Sequence, residues 1–561
     1  MEGSSGCFTA AMTRVSKTAK NGGGAEREVA RLFANFHLQV EPEAVRLLLS
    51  ECNGNLNDVV EYLAARHSDA LVVSAADVSD FLKRKHARAQ NGIPTAALSR
   101  VGVASQSVVE TEREKGAFAN GRSAVLATAS EESGLRATPA TPLRASVLKS
   151  FGNERPQNDF LPIFRDRYER LSGILRKRLR SIQIRALRNR IMRTKGCGSG
   201  DAEEFAVIGI VADIRKTAKG NTIVELEDAT GEISVLIPSE EEVVEDEVLG
   251  ISGRISNSGL LIAERVVRPD VPLHFNNFNT HSNAKTAPLA NSASGCEEEG
   301  EEKVEEEEKE YAIFISDIHA GSKMFEEECW NAFLDWLREH SASLTAVVVA
   351  GDIVDGIGVY PEQEKDLAVK DVEEQYKIVA SSLKRLPSSL PVVLSPGNHD
   401  AVRNAEPQPP LPANIQRLFP ANTIFVSNPA YIRIGNRTIL IYHGQSYDDF
   451  IGAIPRLRYE KPAEVMEEML KRRHLAPIYG KNVSLFPISY DYGVIEPVPD
   501  ILHCGHAHTV GVSQYRRVLL VNSGAWQSQT SYQKKRGIVP MPCCATLVEL
   551  RSLRAKVLSF S

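Results

Sequence analysis

Five times between residues 311 and 505, a short unbroken run of apolar residues gives way at once to Asp, His, Asn or Gly. Ala312 to Ile315 leads into Ser316-Asp317-Ile318-His319, and Ala346 to Val349 into Gly351-Asp352-Ile353-Val354-Asp355. Val392 to Leu394 leads into Gly397-Asn398-His399-Asp400, and Thr438 to Ile441 into Tyr442-His443-Gly444. Ile501-Leu502 leads into Gly505-His506-Ala507-His508. Short apolar runs of this kind predict strands buried on both faces. Each polar motif then falls at the carboxyl end of a strand, where open α/β sheets build their sites. The glycines allow sharp turns into such a site.

Upstream the pattern changes. Residues 203–270 carry five β-rich runs: Phe205 to Val211, Thr222 to Leu226, Ile233 to Ile237, Val248 to Ile255 and Leu260 to Val267. Asp228-Ala-Thr-Gly231 makes a turn between two of them. Five short strands fit an OB-fold barrel, which serves either single-strand binding or subunit contact. Phe205 is the one aromatic residue in this stretch, so stacking platforms are scarce. Residues 25–82 show helical spacing in Val29, Leu32, Phe33, in Val45, Leu48, Leu49 and in Val59, Val60, Leu63. They predict a small helical docking unit, with Pro42 in the first turn of one helix.

The expected organisation is a multidomain α+β chain. It has a disordered tail at 1–24, the helical unit at 25–82, a flexible linker at 83–155, and a basic helical segment plus OB-fold at 156–275. An acidic linker at 276–310 and the metal-site domain at 311–561 complete it. A length of 561 residues accommodates three or four domains at about 150 residues each. The N-terminus lacks an apolar h-region and reads as a tail, not a secretory signal. No apolar run approaches the roughly 20 residues of a spanning helix.

Charge alters the picture only locally. The net charge is −6, yet Glu297 to Glu310 holds ten Glu and two Lys, while Arg165 to Lys195 holds twelve Lys/Arg against Asp166 and Glu169. The basic segment is either a solvated helix face or an attractor of phosphate backbone or an acidic partner. Eight cysteines at 7, 52, 197, 296, 329, 504, 543 and 544 form no C-x-x-C pair, which argues for a reducing compartment and against a structural zinc site.

The five motifs supply imidazole, carboxylate and amide oxygen donors, a mixture suited to divalent ions such as Mn²⁺, Zn²⁺ or Fe²⁺. Two such ions can clamp a phosphoryl group. The ordered set DxH, GDxxD, GNHD, H and GHxH resembles the calcineurin-like metallophosphoesterase superfamily in its nuclease form. The resemblance implies a β-sandwich flanked by helices. It also implies that Asp317, His319 and His508 bind one metal, that Asn398, His443 and His506 bind the second, and that Asp352 bridges them. His399 would contact substrate as the catalytic residue, oriented by Asp400. Asp355, His340, His474 and His503 are read as structural.

More narrowly, SDIHAGSKMF at 316–325, GDIVDGIGVYPEQE at 351–364 and SPGNHDAVRNAEPQPPLP at 395–412 resemble the small subunits of archaeal family D DNA polymerase. So do KRRHLAPIYG at 471–480, DILHCGHAHTVGVSQYR at 500–516 and VNSGAWQSQTSYQ at 521–533. This resemblance implies a metal-dependent 3′–5′ exonuclease that proofreads for a large catalytic polymerase subunit, acting on single-stranded primer 3′ ends of DNA. It implies Mn²⁺ for the nuclease, with Zn²⁺ or Fe²⁺ as alternatives, and Mg²⁺ for the polymerase complex. It further implies a sliding clamp reached through the complex, no membrane, and a cytoplasmic, nucleoid-associated archaeal setting. Two other readings stay open: a structural polymerase subunit with weak or no nuclease activity, and a stand-alone metallophosphoesterase.

Overall fold

The computed structural model describes residues 145–194, 204–273 and 310–561, a few single positions apart, with short pieces at 39–40, 42–51, 72–73 and 78–79. The expected tail, most of the helical unit, most of the 83–155 linker and nearly all of the acidic linker lie outside the described residues. Within the helical unit, helix α1 (Pro42–Glu51) starts on the expected proline.

The expected linker runs to residue 155, but strand β1 (Ala145–Ser150) lies inside that range. Val147 and Leu148 are half exposed, so the strand carries no clear alternation of apolar and polar positions. It is held by backbone pairing along a sheet edge, which composition does not report.

Helices α2 (Leu161–Arg176) and α3 (Ile184–Thr194) follow. The barrel strands are β2 (Glu204–Lys216), β3 (Thr222–Asp228), β4 (Gly231–Ile237), β5 (Val248–Ile255) and β6 (Leu261–Val267). They close in the order β2-β3-β4-β6-β5, matching the five expected strands. Closure removes the unpaired edges that a small sheet would expose. Alternate residues such as Val224, Leu226, Val235 and Ile237 fill the interior.

Residues 310–561, together with β1, form two stacked six-stranded sheets. The first contains β7 (Tyr311–Ile315), β8 (Leu344–Ala350), β9 (Val392–Ser395) and β10 (Thr423–Phe425), all parallel, and it continues through the C-terminal pair described below. The second is built on β11 (Ala430–Ile434), β12 (Arg437–Ile441), β13 (Ile501–Cys504), β14 (Gly511–Tyr515) and β15 (Val518–Asn522), with β1 as its outer strand beside β11. Strands β16 (Cys544–Glu549) and β17 (Arg554–Ser559) extend the first sheet beyond β7. Phe314, Val348, Ile432, Ile441 and Val521 pack between the sheets. Helices α4 (Glu327–His340) and α5 (Val372–Leu383) cover the first sheet, and α6 (Tyr447–Ala453) and α7 (Pro462–Arg472) cover the second. A short helix, α8 (Ser531–Arg536), begins with a capping box on Thr530 and Gln533.

Part of the basic segment is spent on docking. Arg167 is fully buried in α2 and pairs with Asp491 at 2.7 Å. Arg170 pairs with Asp166 and Glu496, and Arg178 donates to the carbonyls of Arg268 and Asp270. A second bridge joins barrel to sandwich: Glu247, in the turn before β5, pairs with Arg472 of α7 at 2.9 Å.

Candidate metal centre

All five predicted strand-to-motif junctions are present, and their loops meet at one end of the sandwich. Strands β7, β8, β9, β12 and β13 end at residues 315, 350, 395, 441 and 504, each just before its motif. Convergence requires unusual backbone. Asp317, His319, Asp352, His506 and His508 have φ of 53, 50, 51, 65 and 56°, the left-handed region that costs non-glycine residues free energy. That cost is tolerated where surrounding bonds over-determine the conformation. Here the carbonyl of Gly351 accepts from Asp317 N at 3.0 Å, and that of Asp352 accepts from His319 N at 3.1 Å.

The donors form two clusters. Asp317, His319 and His508 make one: Nε2 of His319 and of His508 are 3.1 Å apart, and Oδ1 of Asp317 is 3.4 Å from Nε2 of His508. Asn398, His443 and His506 make the other: Oδ1 of Asn398 is 3.0 Å from Nε2 of His443 and 3.1 Å from Nδ1 of His506. Asp352 touches both. Its Oδ2 lies 3.7 Å from Nε2 of His319 and 3.3 Å from Nε2 of His443, while its Oδ1 accepts from the backbone N–H of His399 at 2.9 Å. The site therefore brings together every residue that the sequence singled out as a ligand.

Hydrogen bonds behind the donors set their faces. Nδ1 of His443 donates to the carbonyl of Ala350 at 2.8 Å, which leaves its Nε2 lone pair on the site side. Nδ1 of His319 faces Oδ1 of Asp355 at 3.0 Å and does the same for that ring. The amide of Gln533 lies 2.8 Å from Nδ1 of His508, and Asp448 lies 3.8 Å from Nε2 of His506. Gly397 makes room: a Cβ there would stand 2.2 Å from Oδ1 of Asp352.

The field of the site favours positive charge. Burial acts to raise the Asp352 carboxyl, but His443, His399 and His319 outweigh it and hold it well below the usual range. Burial acts to lower His443, but Asp352 and Asp317 outweigh it and push His443 up to about 10. Cations set among these carboxylates and lone pairs would meet the same field. Three imidazole and carboxylate donors in one cluster, and two imidazoles with an amide oxygen in the other, fit borderline divalent ions.

His399 stands beside the clusters. Its Nδ1 donates to the carbonyl of Asp355 at 2.7 Å, and its Nε2 is 4.0 Å from Oδ2 of Asp352. Burial works against its protonation, yet Asp352 and Asp355 raise its pKa above the ordinary value. Asp400, expected to orient His399, is otherwise engaged: it accepts from Tyr376 O–H at 2.9 Å and from the backbone N–H groups of Gly397 and Ile353. It shapes the GNHD turn, and Asp355 holds His399. Sequence reasoning gave Asp355 no such task, because its partners lie on two other motifs. It also passed over Tyr360, whose ring is 6.3 Å from His399 and stacks on Tyr532. His340 and His503 lie outside the clusters, and His474 pairs with Asp491 at 2.9 Å.

The fold and site define a mixed α/β protein with paired metal-donor clusters at one end of a double sheet. A family model describing the B-type subunit of DNA polymerase alpha/epsilon matches residues 312–510. The chain is 41% identical over 443 residues to the DNA polymerase II small subunit of Archaeoglobus fulgidus, covering 76% of this chain and 83% of that protein. It is 36% identical over 417 residues to that of Methanocaldococcus jannaschii, covering 71% and 64%. The chain belongs to the DNA polymerase II small-subunit family. Among solved structures, it is 11% identical to one titled for a novel archaeal phosphodiesterase, covering 44% of this chain and 98% of that one at a TM-score of 0.24, too low to bear on fold or function. Among the described residues no helix is long and apolar enough to cross a membrane.

Proposed function

We propose that this chain is the 3′–5′ exonuclease subunit of a two-subunit replicative DNA polymerase, partnered by a large catalytic subunit that polymerises. The observation that carries this reading is Asp352, whose single Oδ2 reaches both donor clusters. Asp317, His319 and His508 would hold one divalent ion, Asn398, His443 and His506 the second, and Asp352 would bridge them. When bound, the ions would neutralise phosphoryl oxygens and lower the pKa of water.

The chain's own residues supply the rest. His399 carries its Nδ1 proton on the carbonyl of Asp355 and turns Nε2 toward the clusters. Protonated at Nε2, it would donate to the 3′ oxygen of the shortened strand as the bond from that oxygen to phosphorus breaks. Mispaired 3′ ends melt at lower cost than paired ones, so part of the discrimination would lie in the DNA. The barrel is read as OB-type, and the basic segment at 165–195 as a contact with DNA or with the large subunit.

The test is digestion of a mismatched 3′ end with Mn²⁺, with and without the large subunit, beside Asp352→Asn and His399→Ala. Stepwise loss by the wild-type chain alone is expected. No loss in either format would leave a structural subunit.

A further inference from the structure

Four cysteines are free among the described residues, and two of them face each other behind the candidate metal centre. Sγ of Cys329, Sγ of Cys543 and a carboxylate oxygen of Glu326 all lie within 4.8 Å of one another. We propose that Glu326, Cys329 and Cys543 form a second, separate metal site, which takes a single Zn²⁺ and pins the C-terminal segment to the start of α4.

The placement is specific. Glu326 is the residue before α4 and Cys329 lies in its first turn, so their i, i+3 spacing sets both side chains on one face. Cys543 sits immediately before β16 with φ 62°, a left-handed conformation held by two bonds: its N–H donates to Ala525 at 2.8 Å, and its carbonyl accepts from Phe560 N at 2.9 Å. Glu326 is itself fixed, its N–H donating to Trp526 at 2.8 Å and its carboxylate accepting from the hydroxyl of Ser528. The donors thus come from two segments remote in sequence, each with a constrained backbone.

The chemistry points to a thiophilic ion. Burial disfavours the Cys543 thiolate, and the neighbours Cys329, Glu326 and Cys544 are themselves acids that disfavour it further. A divalent cation reverses that sign, because it stabilises thiolates and carboxylate together. Two thiolates and one carboxylate match the Zn²⁺ donor menu and suit Mn²⁺ or Mg²⁺ poorly. Cys544 turns its Sγ toward the carbonyl of Pro542 at 3.4 Å and is not counted among the donors.

The ion would also bear on the first site. Trp526, which accepts from Glu326, donates its own N–H to the carbonyl of Asp317 at 2.9 Å. Met541, two residues before Cys543, donates to the carbonyl of His508 at 2.7 Å. Both are backbone bonds to residues of one donor cluster.

The experiment is titration of the reduced full-length chain with Cd²⁺ in excess Mn²⁺, read at the thiolate-to-cadmium charge-transfer band. Histidines and carboxylates give no such band, so loading of the first site is silent. The expected result is a band that saturates at one equivalent, is displaced by Zn²⁺, is kept in Asp352→Asn and is lost in Cys329→Ser and in Cys543→Ser. No band in wild-type protein whose thiols are shown to be reduced would overturn the proposal, as would a band that survives Cys543→Ser. Alkylation of wild-type Cys329, followed by mass spectrometry, gives a readout independent of any variant. Zn²⁺ should slow it at least tenfold, and an unchanged rate would refute the site.

Discussion

Oδ1 of Asp355 lies 3.0 Å from Nδ1 of His319, and the backbone carbonyl of the same Asp355 lies 2.7 Å from Nδ1 of His399. One residue therefore orients a candidate ligand with its side chain and the candidate acid with its main chain. Asp355→Asn should separate the two tasks. The main-chain bond survives, and the imidazole of His319 loses its charged partner. The Mn²⁺ concentration for half-maximal 3′-end digestion should rise about 10- to 100-fold, with activity recovered at saturating Mn²⁺. A fall in maximal rate with no change in metal dependence would contradict this.

Gly397→Ala tests the crowding around Asp352. The added methyl would sit 2.2 Å from Oδ1 of Asp352 and 2.9 Å from Cε1 of His443. Relief requires displacing the bridging carboxylate and also shifting backbone, because Asp352 N would stand 2.6 Å away, at a cost toward the upper end of about 1–3 kcal/mol in stability. Calorimetric titration should show Mn²⁺ binding weakened at both clusters together, with the circular dichroism spectrum retained.

Removing Arg167 should loosen α2 from the sandwich. Its guanidinium is buried against Asp491, so Arg167→Ala leaves that interior carboxylate with His474 as its remaining ion-pair partner and should cost about 3 kcal/mol, the low end for a broken buried pair. The expected signature in urea is a lower midpoint with an unchanged slope. A shift under about 1 kcal/mol would mean that His474 alone is enough to hold the Asp491 carboxylate.

Acid should weaken the ion pairs that Glu468 makes within α7, with Arg472 and Lys471, in a defined window. Burial acts to raise Glu468, but Arg472 and Lys471 outweigh it and hold its pKa at about 2 against an ordinary 4.5. A depressed carboxyl contributes stability that is fully present above about 4.5 and is lost as pH falls through about 2. The contribution is about 3 kcal/mol. Glu468→Gln should flatten the fall in thermal midpoint between pH 4.5 and 2, measured against the wild-type chain.

The candidate centre was legible because each ligand motif is local. An apolar strand, a glycine and a donor sit within a few residues, and five such junctions in order specify a convergent site. What was hidden depends on partners remote in sequence. Asp400 stands next to His399 in the chain, but Tyr376 on α5 claims its carboxylate. Cys329 and Cys543 look unrelated by spacing, and a search for C-x-x-C pairs passes over them. Strand β1 was hidden for a different reason: most of its side chains are at least partly exposed and it is held by backbone pairing to β11, so its sequence need not alternate.

That edge strand also settles how the chain is threaded. β1 precedes the barrel, and the other sandwich strands follow it, so the barrel is a loop drawn out of the sandwich and anchored at both feet. It cannot swing like a bead on a string. Tension on the chain upstream of residue 145 would enter the second sheet as shear along β1. From there it has a short route inward: Ser427 N–H donates to the hydroxyl of Ser150, and the next residue, Asn428, accepts from the backbone N–H of His443. Phe151, one step beyond the strand, stacks under the guanidinium of Arg403, just past the GNHD turn. A pull on the N-terminal region is thus felt within two hydrogen bonds of a residue in the donor clusters.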